Sequence, residues 1–188
     1  VRFSGRKFRF KNAVYALDST IITLCTEVYD WAHYTHSKGA VKLHTLLNFS
    51  TLLPEYVHIT DGKAGDNTAA RHVQVKPGSI VVSDRGYFDT RLLNFWDSTK
   101  VFFVVRVKDN LIYERMEERD LPDNAHPEVL IDEIVILKGN GTARQYPRPI
   151  RRIAVYNARH DFTIELLTNN MKLSAGTIAG LYKARWDV

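Results

Sequence analysis

A chain of 188 residues, 45% hydrophobic and 25% charged, is long enough to bury one α/β core and has the make-up of an ordinary globular domain. No apolar run approaches the ~18 residues that cross a bilayer, no signal-peptide pattern is visible, and the single cysteine, Cys25, excludes an internal disulfide and a cysteine-rich zinc site, usage that fits a reducing cytoplasm. The net charge of +5 points weakly to a polyanion: Arg2, Arg6, Lys7, Arg9 and Lys11 form one acid-free run, and Arg144, Arg148, Arg151, Arg152 and Arg159 a second. Such runs read equally as solvated faces.

Residues 1–11 interleave Phe3, Phe8 and Phe10 with the basic side chains and suit an edge strand or an arm. Asn12 to Thr20 is predicted to be a strand ending on Asp18, residues 20–32 suit strand or short helix, and the polar stretch 33–39 reads as a loop. Residues 40–50 alternate, with Val41, Leu43, Thr45 and Leu47 on one face and Lys42, His44 and Leu46 on the other. Pro54 and Glu55 are predicted to turn the chain into a strand at Tyr56 to Thr60, the third of an antiparallel meander. Residues 61–67 are turn-rich, and Asp66 or Asn67 is a candidate cap for a helix running to about Val75, before Pro77 and Gly78.

Ile80, Val81 and Val82 form a β-branched run too short for a buried helix, so a central strand is expected, stopping at Asp84 and the breaker Gly86. Asp89 can cap a helix through Phe95 and Trp96, and residues 100–107 read as another buried strand. From 108 to 149 the pattern turns loop- and strand-rich, with a strand at Val129 to Leu137 and a turn at Gly139 to Gly141. Ile150 to Tyr156 and Phe162 to Thr168 pair as a hairpin. Ser174 then caps a last helix over 173–188, on which Ile178, Leu181, Tyr182 and Arg185 are spaced by three or four. The expected fold class is α/β, a mixed sheet with flanking helices. It divides into a first core part (1–107), a β-rich insertion (108–149), and the end of the insertion with the core helix (150–188). The chain stops inside a helical pattern, as a fragment of a longer protein would.

Asp18 and Asp84 carry the chemical argument. Each follows an apolar strand, at the sheet edge where open α/β sheets bind ligands, and two strands delivering carboxylates to one edge suit a divalent metal. The plainer alternative is that each Asp caps a turn. Asp61 and Asp66 could imitate such a pair, but their Gly-rich setting favours turn chemistry. His33 and His36 have no partner at metal-ligand spacing and read as surface; Trp31, Trp96 and Trp186 read as core.

The segment Tyr182-Lys-Ala-Arg185-Trp-Asp-Val188 resembles the signature of bacterial insertion-sequence DDE transposases, in which Tyr, two residues, Arg, three residues and Glu share a helix. The Glu would fall one position after Val188. Leu-Asp18-Ser-Thr and Ser-Asp84-Arg-Gly-Tyr are similar to the stretches around that family's first and second catalytic Asp. Lys42-Leu-His44, Thr60-Asp-Gly62 and Asp66-Asn67 resemble others that recur there.

The resemblance implies an RNase H-like core with a β-rich insertion before the last helix. It implies two Mg²⁺ or Mn²⁺ ions at Asp18, Asp84 and the absent Glu, and DNA cleavage with strand transfer. DNA, as transposon ends and target, is the implied partner, with a homodimer assembled on it. Arg185 and Tyr182 are implied to hold phosphate, with Arg85, Lys42 and His44 as further DNA contacts. For Lys42 and His44 the rival reading is a solvated sheet face; for Arg85 it is an ion pair. Without the Glu, the 188 residues alone are expected to be inactive. The rival functions are an RNase H-like nuclease without strand transfer and a non-catalytic nucleic-acid-binding remnant.

Overall fold

Three parallel strands, β1 (Val14–Leu24), β5 (Ile80–Ser83) and β6 (Phe102–Arg106), form the middle of the sheet in a computed structural model of the chain. Residues 11–24, 33–35, 38–107, 110–121, 128–158 and 161–187 are described. On the β1 side, β3 (Lys38–Asn48) pairs antiparallel with β1, and β2 (His33–Thr35) and β4 (Pro54–Asp61) pair with β3. On the β6 side come β10 (Phe162–Thr168), β9 (Ile150–Asn157), β8 (Val129–Leu137) and β7 (Tyr113–Glu118), all antiparallel to their neighbours. Among the described residues these ten strands make one mixed sheet. It meets the expectation of an RNase H-like α/β fold.

All four residues of β5 are buried, as a β-branched strand between two parallel neighbours requires. Alternation then divides the core. Tyr15, Leu17, Val81, Phe103 and Val105 face one side, where α2 (Thr90–Ser98) lays down Leu92, Leu93 and Trp96. The short helices α1 (Asp66–Ala70) and α3 (Thr142–Gln145) lie on that side too, with Ala70 and Tyr146 in the same cluster. Val14, Ile80, Val82 and Val104 face the other side, covered by Ala175, Ile178, Leu181 and Tyr182 of α4 (Ala175–Ala184). Burying each such Leu or Ile side chain is worth about 1.5–3 kcal/mol. Asp89 caps α2 by accepting from the Arg91 and Leu92 N–H groups, and Ser174 caps α4 by accepting from Thr177 N–H, both as expected.

Several expectations change. The stretch at 33–39 contains β2 and the start of β3, so it is a hairpin and no simple loop. The turn before β4 runs through residues 49–53, held by Asn48 Oδ1 accepting from Ser50 and Thr51 N–H, and Pro54 already belongs to the strand. Helix α1 has one turn and is preceded by Gly65, so neither Asp66 nor Asn67 caps it. It stops because His72 and Val73 bond back to Ala69 and Ala70 in a tighter turn that places Val73 in the core. The last helix gives way at Arg185 to a 3₁₀ turn over Arg185–Asp187.

The second basic run is solvent-facing only in part: Arg144 and Arg148 are exposed, but the two residues on β9 are not. Arg151 and Arg152 are 1% and 6% exposed. Arg151 forks onto Asp132 at 2.7 and 2.6 Å and donates to the carbonyls of Asn170 and Leu173. Arg152 bridges Glu133 and Glu165. Cys25, Trp31, His36 and residues 1–10 lie outside the described residues, as do the side chain of His33 and Arg159.

Candidate active site at the ends of two parallel strands

The last parallel pair of β1 and β5 is Leu17 with Ser83, so Asp18 and Asp84 are the next residues along two adjacent strands. Burial ends at the same point: Val14 to Leu17 are buried, and the Asp18 side chain is 60% exposed. Neighbouring strands run ~4.8 Å apart, so the sheet delivers both carboxylates to one short stretch of its edge. Asp18 Oδ1 accepts from Ser19 N–H at 3.0 Å, and Asp84 Oδ1 from Gly86 N–H at 2.8 Å. Asp84 therefore does cap the short 3₁₀ turn Arg85–Tyr87 that follows it. Arg85 is exposed on that turn.

Arg185 reaches this edge from the end of α4. Its Nη1 lies 3.5 Å from Asp18 Oδ2, although Arg185 is only 5% exposed. The guanidinium lies over the Trp186 ring at 4.3 Å and near the Tyr182 ring at 5.6 Å. Its Nε and Nη2 are buried without a hydrogen-bond partner. Tyr182 is 4% exposed and packs in the core under α4, so it forms a platform beneath Arg185 and does not extend toward a ligand. Trp96 is core, 1% exposed, but Trp186 is 69% exposed, which overturns its reading as core.

Lys42 and His44 face inward. His44 is fully buried, and the Lys42 side chain is 14% exposed. Neither projects to DNA or forms a solvated face, because α1 and the Arg85–Tyr87 turn cover this side of β3. What they meet is Asp66. Lys42 Nζ lies 3.0 Å and His44 Nδ1 3.6 Å from Asp66 Oδ1. Lys42 also donates to the carbonyl of Ala64. His44 is within 3.2 Å of the Tyr87 hydroxyl and 3.0 Å of Thr60 Oγ1. Burial pushes the His44 pKa below its ordinary value, against the pull of Asp66 upward, with Lys42 and His58 adding to the lowering.

Tyr87 is fully buried, and its hydroxyl is held neutral mainly by burial, with the carboxylates of Asp66, Asp18 and Asp84 acting in the same sense and a hydrogen bond to Ser19 opposing them. Asp61 behaves as turn chemistry predicts, accepting from Lys63 N–H. Asp66 does not, and sequence reading missed its place. The Gly-rich run was the only local signal, and its partners lie 22 and 24 positions upstream on β3.

As hard oxygen donors on adjacent strands, one of them more than half exposed, Asp18 and Asp84 fit a divalent cation that prefers oxygen ligands and keeps several waters. Among the described residues no cluster of three or more His, Cys, Asp or Glu side chains is arranged to hold a metal, so these two would form part of a ligand set. No helix among the described residues is long and apolar enough to cross a membrane.

The profile of the transposase DDE domain matches residues 9–188. A Sinorhizobium fredii protein named as a transposase, y4zB, is 31% identical over 174 residues, covering 92% of this chain and 48% of its own length. A Geobacillus stearothermophilus protein, named as a transposase for insertion sequence element IS5377, is 27% identical over 187 residues, 100% of this chain and 48% of its own. The chain spans about half the length of these relatives.

Proposed function

The chain belongs to the transposase DDE-domain family, and from that premise we propose that it carries the catalytic edge of a DNA-cleaving and strand-joining enzyme of DNA transposition. The observation that carries the reading is the pair Asp18 and Asp84 where the parallel β1–β5 pairing stops, with the Arg185 guanidinium turned toward Asp18; β5 ends there, whereas β1 does not end on Asp18 as expected but runs on to Leu24 against β3.

Asp18 and Asp84 would hold Mg²⁺ or Mn²⁺, two ions in the complete site. The family's Glu, four residues beyond Arg185 and thus one position after Val188, would complete the ligand set. Bound there, such ions neutralise phosphate charge and lower the pKa of an attacking water. The protein's own task is then positioning, as phosphoryl transfer demands. The Nε–Nη2 edge of Arg185 is a fork shaped for one phosphate, with two parallel charge-assisted hydrogen bonds. Burying two donors unpaired costs about 1–3 kcal/mol each, and a phosphate oxygen would remove that cost. Trp186 stacks over the fork and is largely exposed, so an outward swing of its ring opens the way. Arg85, exposed beside Asp84, would meet the DNA backbone. Transposon ends and target DNA are the substrates, a homodimer on DNA the working assembly, and the bacterial cytoplasm, at the nucleoid, the setting.

The test uses the intact protein, a plasmid carrying the element, and Mn²⁺ titration followed by electron paramagnetic resonance. Asp18→Asn and Asp84→Asn should each lose cleavage and weaken Mn²⁺ binding beyond the ~100-fold that loss of an outer-sphere partner costs. Joined 3′-hydroxyl ends would separate strand transfer from hydrolysis alone. Parent-level cleavage by either variant would sink the proposal.

A further inference from the structure

A side chain at Gly86 would have to displace the carboxylates beside it. A Cβ built on it would lie 2.7 Å from Asp66 Oδ2 and 3.0 Å from Asp84 Oδ1. The backbone of the Asp84 turn is thus wedged between two carboxylates, its own cap and one from another element. Gly86 N–H donates to Asp84, and the bare Cα rests against Asp66.

Asp66 is itself held from β3 by the Lys42 ammonium at 3.0 Å, with the His44 ring beside it at 3.6 Å. His44 continues the path to the Tyr87 hydroxyl, one residue beyond Gly86. Three elements therefore meet behind the two carboxylates without contributing a ligand: β3 through Lys42 and His44, α1 through Asp66, and the 3₁₀ turn through Gly86 and Tyr87.

We propose that Asp66 is a positioning residue: held by Lys42, it braces the Gly86 turn and so sets where the Asp84 carboxylate stands relative to Asp18. The inference rests on the reading of Asp18 and Asp84 as metal-binding. The physical case is one of stiffness. Asp84 stands one residue past the end of β5, and its carboxylate accepts from the Gly86 N–H of a three-residue turn, so the place of that turn decides where the carboxylate stands. Supporting partners of this kind preorganise ligands, and a ligand set loose by ~1 Å is a poor one. The partly buried ion pair, with side chains 14% and 20% exposed, gives the brace its stiffness, because it is shielded from water more than a surface pair.

The experiment compares the intact parent protein with Asp66→Asn, Lys42→Met, the double variant and Asp18→Asn. Mn²⁺ affinity is read by electron paramagnetic resonance without DNA, and plasmid cleavage is read as a function of Mg²⁺. Asp66→Asn should weaken Mn²⁺ binding about 10–100-fold and raise the half-activating Mg²⁺ concentration by the same factor, with the plateau rate returning toward the parent's. A merely structural loss would lower the plateau instead. Lys42→Met should act in the same direction, and the double variant should be no worse than Asp66→Asn, since both act through one carboxylate.

An Asp66→Asn protein with parent Mn²⁺ affinity and parent Mg²⁺ dependence would overturn the proposal. So would additive losses in the double variant. Should Asp66→Asn fail to fold, as circular dichroism would show, Lys42→Met decides alone by the same two readouts. Asp18→Asn separates the two ideas: if it binds Mn²⁺ like the parent, the metal reading itself fails and the brace falls with it. If it loses binding while Asp66→Asn does not, only the brace is wrong.

Discussion

Replacing Asp132 by Ala should destabilise the protein far more than a surface ion pair would. Arg151 is 1% exposed, and Asp132 receives two of its N–H groups at 2.7 and 2.6 Å. Removing the acid leaves a buried guanidinium half paired, and breaking such a pair costs about 3–5 kcal/mol. Arg151 keeps the carbonyls of Asn170 and Leu173, so the lower end, about 3 kcal/mol, is expected. For a domain of this size that lowers the melting temperature by roughly 6–12 °C. The assay is urea denaturation with a parallel thermal melt. The informative comparison is the double variant Asp132→Leu with Arg151→Met. It buries no charge and should be no worse than Arg151→Met alone, although the two carbonyls still lose their donor. An Asp132→Ala midpoint within ~0.5 kcal/mol of the parent, the scatter of neutral surface changes, would refute the reasoning. So would a double variant whose cost equals the sum of its parts.

Two further outcomes follow from local geometry. His44 stays neutral in the fold because burial lowers its pKa, whereas the unfolded chain protonates it near 6.5. Below that value the unfolded state binds the extra proton, so stability should fall as the pH drops from ~6.5 toward the folded pKa. Denaturation midpoints at pH 7.5 and pH 5.5 should show a smaller drop in His44→Gln than in the parent, and equal drops would argue against a neutral His44. Asp89→Ala removes the acceptor of two N–H groups at the start of α2, together with a 3.3 Å contact to Arg71. The loss should be about 1 kcal/mol by chemical denaturation, and no measurable change would mean that the cap is replaced by water.

What the sequence disclosed and what it hid divide along range. The β5 strand was readable because three β-branched residues and a following Asp-Arg-Gly are neighbours in the chain. The caps at Asp89 and Ser174 were readable because capping acts over two or three residues. The strands leading into Asp18 and Asp84 were readable from residue type; that they lie side by side, and that β1 runs on past Asp18 to Leu24, was not.

By contrast, Lys42 and His44 alternate as though facing solvent, and only the arrival of α1 and the Tyr87 turn closes over them. Arg151 and Arg152 look like a basic run, because the acids that neutralise them stand 19 positions upstream on β8 and 13 downstream on β10. Trp186 looks like core by residue type. At Arg185, however, α4 tightens into a 3₁₀ turn that turns Trp186 outward. Pairings of this length leave no periodicity in a single sequence.

The helix that carries Arg185 is supported like a beam with a bearing at each end. At its near end Arg151 of β9 grips the carbonyls of Asn170 and Leu173, just before the Ser174 cap; at its far end Arg185 rests against Asp18. The near bearing belongs to strands on the outer side of β6, the far bearing to the parallel centre. The place of Arg185 beside Asp18 is thus fixed from both halves of the sheet, and a substitution at Arg151, far along the helix, bears on it as much as one beside Asp18.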